Sequence, residues 1–323
     1  MRRIAIAALL VLTPSASAAG PWLHVGPPAF PPMTAVAAQG NSLFGLAQNG
    51  DIWRADAGAA WVRRSTRPRT GTSILVASPG AVYVASTDPS ILSRSTNGGR
   101  DFERCGRDGL PRGTNFVVAT ANGRVGVVRA HRLALSSNQC RTWTRPRITG
   151  RIRTIARSGT TWFAVVERPG LAAANRFRLL ASTDLGRTWR LRANRSALLI
   201  GSPPGIGVAS LVADRVTVNR LWLIHNGRLA RSDNGGRSWT NATPPAMRVT
   251  TVVPSATRAN NVHVLGLTST RRPITRTSSN SGTTWTDIPA PATGALPSVP
   301  FLFATSTTRA AIATSAGVWT YAF

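Results

Sequence analysis

Arginine is the residue through which this chain can most clearly do chemistry. All 39 basic residues of the 323 are arginines, 11 residues are acidic, and the formal net charge is +28. A guanidinium group binds carboxylates and phosphates through two parallel hydrogen bonds. A GC-rich genome also favours arginine codons, together with those for alanine, glycine and proline. The positions of the arginines are therefore a better guide to an anionic partner than their number.

The elements that must position these arginines are marked by an eight-residue turn that recurs every 41 to 50 residues. Its pattern is Ser-x-Asp/Asn-x-Gly-x-Thr/Ser-Trp, and the six copies begin at Arg54, Ser95, Ser136, Ser182, Ser232 and Ser278. The Asp or Asn at position three can accept backbone N–H groups of its own turn, and the glycine at position five suits a positive φ. A period of this length predicts the blades of a propeller.

These repeat turns resemble the Asp-box, or BNR, repeat of sialidases, sortilin-type receptors and photosystem II assembly propellers. The resemblance covers nearly the whole chain, and the organisation is closest to the assembly-factor and sortilin types. It implies an all-β fold, a single β-propeller of four-stranded antiparallel blades, with strand A innermost and each repeat turn between strands C and D. A count of the strand-like segments makes it a seven-bladed β-propeller. The first copy, which starts with Arg54, and the third, which has Cys140 at position five, depart most from the pattern.

Surplus strands at the two ends of the chain predict how the ring closes. Three strand-like segments follow the last repeat turn, and one more, residues 21–25, precedes the first blade. Together they complete a seventh blade. We expect residues 22–25 to pair with residues 317–321, because this removes an exposed sheet edge that would otherwise promote aggregation.

The first 19 residues have the features of a signal peptide. Arg2 and Arg3 precede an apolar stretch, residues 4–12, and Ala16-Ser17-Ala18 forms a cleavage signal. Nine apolar residues are too few to span a bilayer, and no later segment is a transmembrane candidate. We expect residues 20–323 to form the propeller of an exported monomer, in the periplasm, the cell envelope or the extracellular space.

The two cysteines are a disulfide candidate. Cys105 and Cys140 lie in neighbouring blades, and an exported protein meets an oxidising environment. Two separate thiols are the alternative, because a sequence does not give the distance between them. The histidines His24, His131, His225 and His263 fall in different blades, so neither a metal site nor a cofactor is expected.

One face of the predicted propeller is rich in arginine. Strands alternate in direction, so the D–A and B–C connections share one face, the loop face, while the A–B and C–D turns share the other, the turn face. Loop-face arginines concentrate in blades 1 to 4, and the connections after blades 5 and 6 hold almost none. The predicted binding set is Arg63, Arg64, Arg67, Arg107, Arg147, Arg151, Arg176 and Arg192. Its partner would be an anionic protein segment, an envelope glycopolymer or a lipid surface, and no specific nucleic acid is expected. A surface made basic by codon usage alone is the alternative.

The acidic residues and tyrosines argue against an enzyme. Sialidases use an arginine before the first repeat, an early acidic residue and a Tyr–Glu pair. Here no arginine lies between Arg3 and Arg54, and no acidic residue precedes Asp51. Neither tyrosine, Tyr83 or Tyr321, has the expected neighbours.

Other glycosidases need two facing carboxylates, and no such pair is recognisable. Asp56 and Asp184 belong to repeat turns, while Asp88, Asp108 and Glu167 have arginine neighbours and are expected to form surface ion pairs. We therefore expect a secreted, non-catalytic binding or assembly module. The alternative is a glycoside hydrolase of the sialidase-like superfamily with an unrecognised site.

Overall fold

The structure of the chain is a computed structural model that describes residues 23–24, 33–39, 42–56, 60–65, 72–78, 80–86, 91–111, 116–121, 123–171, 176–194, 210–255, 257–288, 301–306, 309–314 and 317–322. In this part of the chain there are 27 strands and no helix. A helix able to cross a membrane is accordingly not found there. The predicted signal peptide, residues 1–19, lies outside the described residues.

The strands form seven antiparallel sheets, numbered here as blades 1 to 7. Within each blade the strands are given from the innermost to the outermost. Blade 1 contains β2 (Met33–Gln39), β3 (Ser42–Ala47), β4 (Ile52–Ala55) and β5 (Val62–Ser65); blade 2 contains β6 (Thr72–Ser78), β7 (Ala81–Ser86), β8 (Leu92–Ser95) and β9 (Glu103–Arg104); blade 3 contains β10 (Phe116–Ala121), β11 (Arg124–Arg129) and β12 (Arg132–Ser136). Blade 4 contains β13 (Arg151–Ser158), β14 (Thr161–Glu167), β15 (Phe177–Ser182) and β16 (Arg190–Asn194); blade 5 contains β17 (Ser210–Ala213), β18 (Leu221–His225), β19 (Arg228–Ser232) and β20 (Thr240–Asn241). Blade 6 contains β21 (Arg248–Pro254), β22 (Val262–Leu267), β23 (Pro273–Ser278) and β24 (Thr286–Ile288); blade 7 contains β25 (Phe301–Ser306), β26 (Arg309–Thr314), β27 (Gly317–Ala322) and β1 (Leu23–His24).

The innermost strands arrange the sheets in a closed ring. Each of them contacts the innermost strand of the next sheet, in the order β2, β6, β10, β13, β17, β21 and β25, and β25 contacts β2 again. The predicted all-β propeller of antiparallel, mostly four-stranded sheets is confirmed.

The N-terminal strand closes the ring as predicted. Leu23 pairs with Thr320 and His24 with Trp319, so β1 becomes the outer strand of blade 7. Trp22 and Val25, which the sequence also placed in this strand, lie outside the described residues. The closing blade therefore contains the first and the last of the described strands, and β27 is not an open edge.

Blade 3 departs from the predicted four strands. The expected outer strand, residues 143–146, is reduced to one isolated bridge between Leu135 and Thr144. Two causes are visible. Pro146 has no N–H group for a sheet ladder, and Arg145 turns towards blade 2, where its Nε donates to the carbonyl of Gly109 at 2.7 Å and its Nη2 to that of Leu110 at 3.3 Å.

The hydrophobic core lies between neighbouring sheets. Leu133 and Leu135 of blade 3 pack with Ile155 and Trp162 of blade 4, and similar clusters join blades 1 and 2, 2 and 3, 4 and 5, and 5 and 6. Every residue of β14 is buried. Because a propeller strand is covered on both faces, these strands lack the alternation of a half-exposed sheet.

The second to sixth repeat turns are held by their own side chains, as the pattern predicted, while part of the first lies outside the described residues. In the fourth turn the N–H of Gly186 donates to Ser182 Oγ at 2.8 Å, and the N–H of Thr188 donates to Asp184 Oδ1 at 2.9 Å. The same two bonds recur in the second, third, fifth and sixth turns. The residue at position five has a positive φ in all five, including 86° for Gly186 and 70° for Cys140.

The close approach of these turns to the preceding blade predicts an unequal effect of two matched substitutions. Gly186 and Gly170 have φ of 86° and 84°. A Cβ at Gly186 would overlap Leu135 Cδ1, whereas one at Gly170 would meet nothing within 4 Å. We expect Gly170→Ala to cost about 1–2 kcal/mol from the left-handed backbone. Gly186→Ala adds a further ~1–3 kcal/mol of overpacking. Urea unfolding of both variants measures this difference, and equal losses would contradict it.

A buried histidine predicts a pH-dependent stability. Burial lowers the pKa of His263 on β22 from 6.5 to about 4. The unfolded chain therefore takes up a proton as pH falls below 6.5, while the folded chain stays neutral at this site down to about 4. Stability from this group is present above pH 6.5 and is lost as pH falls towards 4, by about 3 kcal/mol in all. The free energy of unfolding of His263→Leu should fall less steeply over this window, and parallel curves for the two proteins would refute the assignment.

Candidate anion-binding surface

The structure separates the eight predicted arginines by their positions. Arg107 and Arg147 are exposed in D–A connections, and Arg151 is exposed at the first residue of β13. Arg176 is exposed beside the start of β15, and Arg67 lies outside the described residues. Arg63, Arg64 and Arg192 lie within the outer strands β5 and β16, not in connections. The sequence assigned these three to the outer ends of the same strands and counted them with the connections that follow; the strands continue to Ser65 and Asn194.

Arg63 is engaged by a nearby carboxylate. Its Nη1 lies 3.7 Å from Oδ2 of Asp51, which is itself largely buried. Asn49 fixes this carboxylate by donating from its Nδ2 at 3.0 Å. Part of the Arg63 charge is therefore neutralised within blade 1.

Arg176, although exposed, is bonded to a buried carboxylate at the loop-face end of blade 4. Glu167, the last residue of β14, has a side chain only 2 % exposed. Arg176 Nε donates to its Oε1 at 2.6 Å, and Arg153 Nε donates to its Oε2 at 2.6 Å. Burial raises the pKa of Glu167, but the two arginines lower it by more, so the carboxylate stays ionised. The expected surface ion pair is thus a buried one, and the sequence missed Arg153 because it lies inside a strand.

Other carboxylates are also committed to the fold. Asp233 sits between Arg220 at 2.6 Å and Arg231 at 2.9 Å. Nine of the ten acidic side chains that the structure describes accept a hydrogen bond or form an ion pair within the protein: Asp51, Asp56, Asp101, Glu103, Glu167, Asp184, Asp214, Asp233 and Asp287.

The two acids at position three of the repeat turns, Asp56 and Asp184, act as structural acceptors. Hydrogen bonds from the side chain and backbone of Thr188, and then from Ser182, hold the pKa of Asp184 well below its usual range. The hydroxyl of Ser42 is the main cause that lowers the pKa of Asp56. A general acid needs the opposite shift.

A cavity of about 390 Å³ opens between blades 3 and 4. We call it the blade 3–4 groove; its lining comprises Arg124, Leu135, Ser136, Ser137, Thr142, Thr144, Arg145, Pro146, Arg147, Trp162, Leu185, Gly186 and Arg187. Four of these residues are arginines, and none of the described lining residues is acidic. Of the predicted binding set the groove contains only Arg147. Arg124, Arg145 and Arg187 were missed because they come from separate turns and connections that meet only when two blades pack together.

A buried arginine that does not line the groove lies beside Trp162, which does. The guanidinium of Arg157 lies 5.6 Å from the centre of the Trp162 ring. Burial lowers the pKa of Arg157, and the positive charge of Arg124 lowers it further. Like charges therefore lie close enough here to repel one another, which makes the groove attractive to an anion.

The corresponding cleft between blades 1 and 2 is different in charge. Its volume is about 510 Å³, and Arg54 is its only arginine among the described lining residues. Arg54 Nε donates to Asp56 Oδ1 at 2.8 Å, so this charge is paired. The basic character of the blade 3–4 groove is thus not a general property of clefts between blades.

The predicted disulfide is present and supports one side of the groove. Cys105 and Cys140 are joined, with their Cα atoms 5.2 Å apart. The bond links the end of the outer strand of blade 2 to the third repeat turn. Beside it, Gly106 N–H donates to the Cys140 carbonyl at 2.9 Å, and Trp143 Nε1 donates to the Gly106 carbonyl at 2.8 Å. Among the described residues, no cluster of three potential metal ligands occurs.

No protein-family model matches the sequence, and a search of curated proteins finds no relative. Solved structures do resemble it. "YCF48 bound to D1 peptide" superimposes with a TM-score of 0.64 and 16% identity, covering 94% of this chain and 95% of the other. A GH74 xyloglucanase from Xanthomonas campestris gives 0.64 and 17%, over 93% of this chain and 53% of the enzyme. A chain of the mitotic checkpoint complex gives 0.65 and 8%, over 99% and 98%. The chain is a β-propeller. At these identities the likeness shows the fold alone, and the propeller's function must be argued from its surface.

The Glu167 cluster predicts that burial decides the energetic role of an ion pair in this propeller. Glu167 and Asp233 each sit between two arginines, but their side chains are 2 % and 44 % exposed. We expect Glu167→Gln to cost about 2–4 kcal/mol, because it leaves arginines without their buried partner. Asp233→Asn should cost less than ~1 kcal/mol, because solvent screens the pair. Chemical denaturation measures both, and a cost of Asp233→Asn equal to or above that of Glu167→Gln would contradict this view.

Proposed function

We propose that this chain is an exported, non-catalytic Asp-box β-propeller that acts as a binding or assembly module. Its partner is an anionic protein segment or an anionic component of the envelope, held by the arginine-rich surface. The Asp-box assignment is supported by the recurring pair of hydrogen bonds in five repeat turns. Export is supported by the signal-like N-terminus and by the disulfide, which persists in oxidising compartments.

One observation carries this proposal: nearly all of the described carboxylates are already bonded to other groups of the protein. Nine of ten accept bonds within the fold, while 39 arginines face only 11 acidic residues in the chain. The surplus positive charge includes the exposed side chains of Arg107, Arg147 and Arg151. Clustered cations of this kind raise the local concentration of anions and speed their encounter with the surface.

The same observation weighs against the enzyme alternative. A glycosidase needs one carboxyl group with a raised pKa and a second that is free to act as base or nucleophile. In Glu167, Asp184 and Asp56 the pKa is lowered, and each carboxylate is bonded to neighbouring side chains. Burial raises the pKa of Asp214, but this carboxylate is held inside blade 5 by the N–H groups of Val216 and Thr217. The xyloglucanase of similar fold is almost twice as long as the part this chain covers.

A protein partner is favoured over the other anions by the structural comparison. A propeller of similar fold, covered over 95% of its length, is the one described as YCF48 bound to D1 peptide. This is a likeness of fold at 16% identity, so it supports the class of partner and no particular one.

The binding proposal predicts salt-dependent binding that depends on position. The purified protein is tested by fluorescence anisotropy against poly-L-glutamate, heparin and phosphatidylglycerol vesicles. We expect Arg107→Gln/Arg151→Gln to weaken binding to the preferred probe about 3- to 10-fold. The matched pair Arg100→Gln/Arg237→Gln, exposed arginines of two repeat turns, should change it less than about twofold. Affinity should fall steeply with NaCl, because exposed charges are screened over about 8 Å at physiological ionic strength.

Three results would overturn the proposal. Equal losses from the two arginine pairs, or no binding to any of the three probes at low salt, would leave the arginine-rich surface without a specific role. Turnover of xyloglucan or a fluorogenic sialoside, abolished by substitution of a propeller carboxylate, would establish the hydrolase alternative. We expect no turnover.

A further inference from the structure

The blade 3–4 groove combines fixed positive charge with exposed apolar surface. Arg145 is held in place by the carbonyls of Gly109 and Leu110. Arg187 belongs to the fourth repeat turn, which the bonds of Asp184 and Ser182 keep rigid. Asp184 is the acidic residue next in sequence to the groove, and its carboxylate is bonded to Thr188 and Ser182. Four arginines against one bonded carboxylate leave the groove strongly positive.

Leu185 is an unusual residue for its place in the groove. It occupies position four of its repeat turn with a φ of 63° and is 37% exposed. The same position holds Gly98, Gln139, Gly235 and Ser281 in the other turns, all with positive φ. A bulky side chain in the left-handed region is an outlier, and an outlier of this kind is a reason to look for a function. Here the strained backbone presents a leucine to solvent beside four arginines.

We propose that the blade 3–4 groove binds an extended acidic peptide segment that carries an apolar side chain between its carboxylates. This inference rests on the proposed binding function and assigns it a site. The carboxylates pair with Arg124, Arg147 and Arg187, while the apolar side chain packs on Leu185 and Pro146, the apolar lining residues that are not buried. Guanidinium–carboxylate pairs fix the orientation of the bound peptide and contribute to its affinity, and the burial of the apolar side chain contributes the rest.

The lining favours a peptide over a phosphate or a sulfated glycan. Phosphate and sulfate groups would use the arginines but would leave Leu185 and Pro146 exposed to water. The volume of about 390 Å³ lies within the usual range of ligand sites and suits a few residues of extended chain. The groove runs beside residues 144–147, which follow the third repeat turn and keep only the bridge between Leu135 and Thr144. An extended segment is the shape that fits there.

The repeat offers a matched control for the test. Arg187 and Arg100 both occupy position six of a repeat turn and are both exposed, but only Arg187 lines the groove. The probes are a fluorescein-labelled peptide, Gly-Glu-Asp-Leu-Glu-Glu-Gly-amide, and the same peptide with glycine in place of its leucine. We expect Arg187→Gln to weaken binding of the leucine peptide about 5- to 10-fold. Arg100→Gln should change it less than twofold.

A second variant tests the apolar contact. Leu185→Asn removes the apolar side chain, and Asn is well tolerated in the left-handed region. We expect it to weaken binding of the leucine peptide at least threefold and to leave the weaker binding of the glycine peptide unchanged. Thermal melts of all variants, expected to match wild type within a few degrees, confirm that each is folded.

The outcomes separate this inference from the proposed function. Equal affinity for the two peptides, or equal effects of Arg187→Gln and Arg100→Gln, would overturn the groove as a peptide site. Heparin or pyrophosphate could instead displace the leucine peptide, bind more tightly than it does, and bind equally well to Leu185→Asn. That result would assign the groove to a phosphate or sulfate ligand. If binding to poly-L-glutamate persists in either case and still depends on Arg107 and Arg151, the proposed function stands and only the groove inference fails. If no anionic probe binds, the proposed function itself fails.

Discussion

The ring depends on how closely each repeat turn approaches the blade before it. The fifth residue of the turn sits against the core of that blade, and a Cβ there would overlap Leu135 in the case of Gly186 and Leu179 in the case of Gly236. The same residue needs a positive φ. Glycine satisfies both demands at once. The turn thus does two things: its Ser and Asx side chains fix the loop, and its glycine lets neighbouring sheets pack without a gap.

The third turn meets this constraint in another way. Cys140 takes the place of the glycine, keeps the left-handed backbone, and makes the contact with blade 2 through a covalent bond to Cys105. Arginine makes similar contacts elsewhere. Arg94 and Arg231, each just before a repeat turn, donate to the carbonyls of Gln139 and Ser281 at position four of the next turn. A share of the arginines is therefore part of the ring itself, and net charge alone overstates what is available to a partner.

Local chemistry explains which features could be predicted from the sequence. The turn bonds and the positive φ follow from residues within eight positions of one another, and closure by β1 follows from counting strands. For the two cysteines the sequence left two possibilities, a disulfide and two separate thiols. Features that depend on neighbouring blades could not be predicted. Arg153 reaches Glu167 from inside a strand, and the arginines of the groove come from blades whose relative placement no local pattern encodes.

The departures of blade 3 from the repeat form one connected set. The disulfide ties the third turn to blade 2, and just beyond it Trp143 and Arg145 donate to carbonyls of the same blade. These contacts draw the segment after the turn away from the path of an outer strand, which survives only as the bridge at Thr144. The space on its other side, towards blade 4, is the groove. A stabilising bond between two blades and an open basic cleft between the next two are thus two consequences of one altered turn.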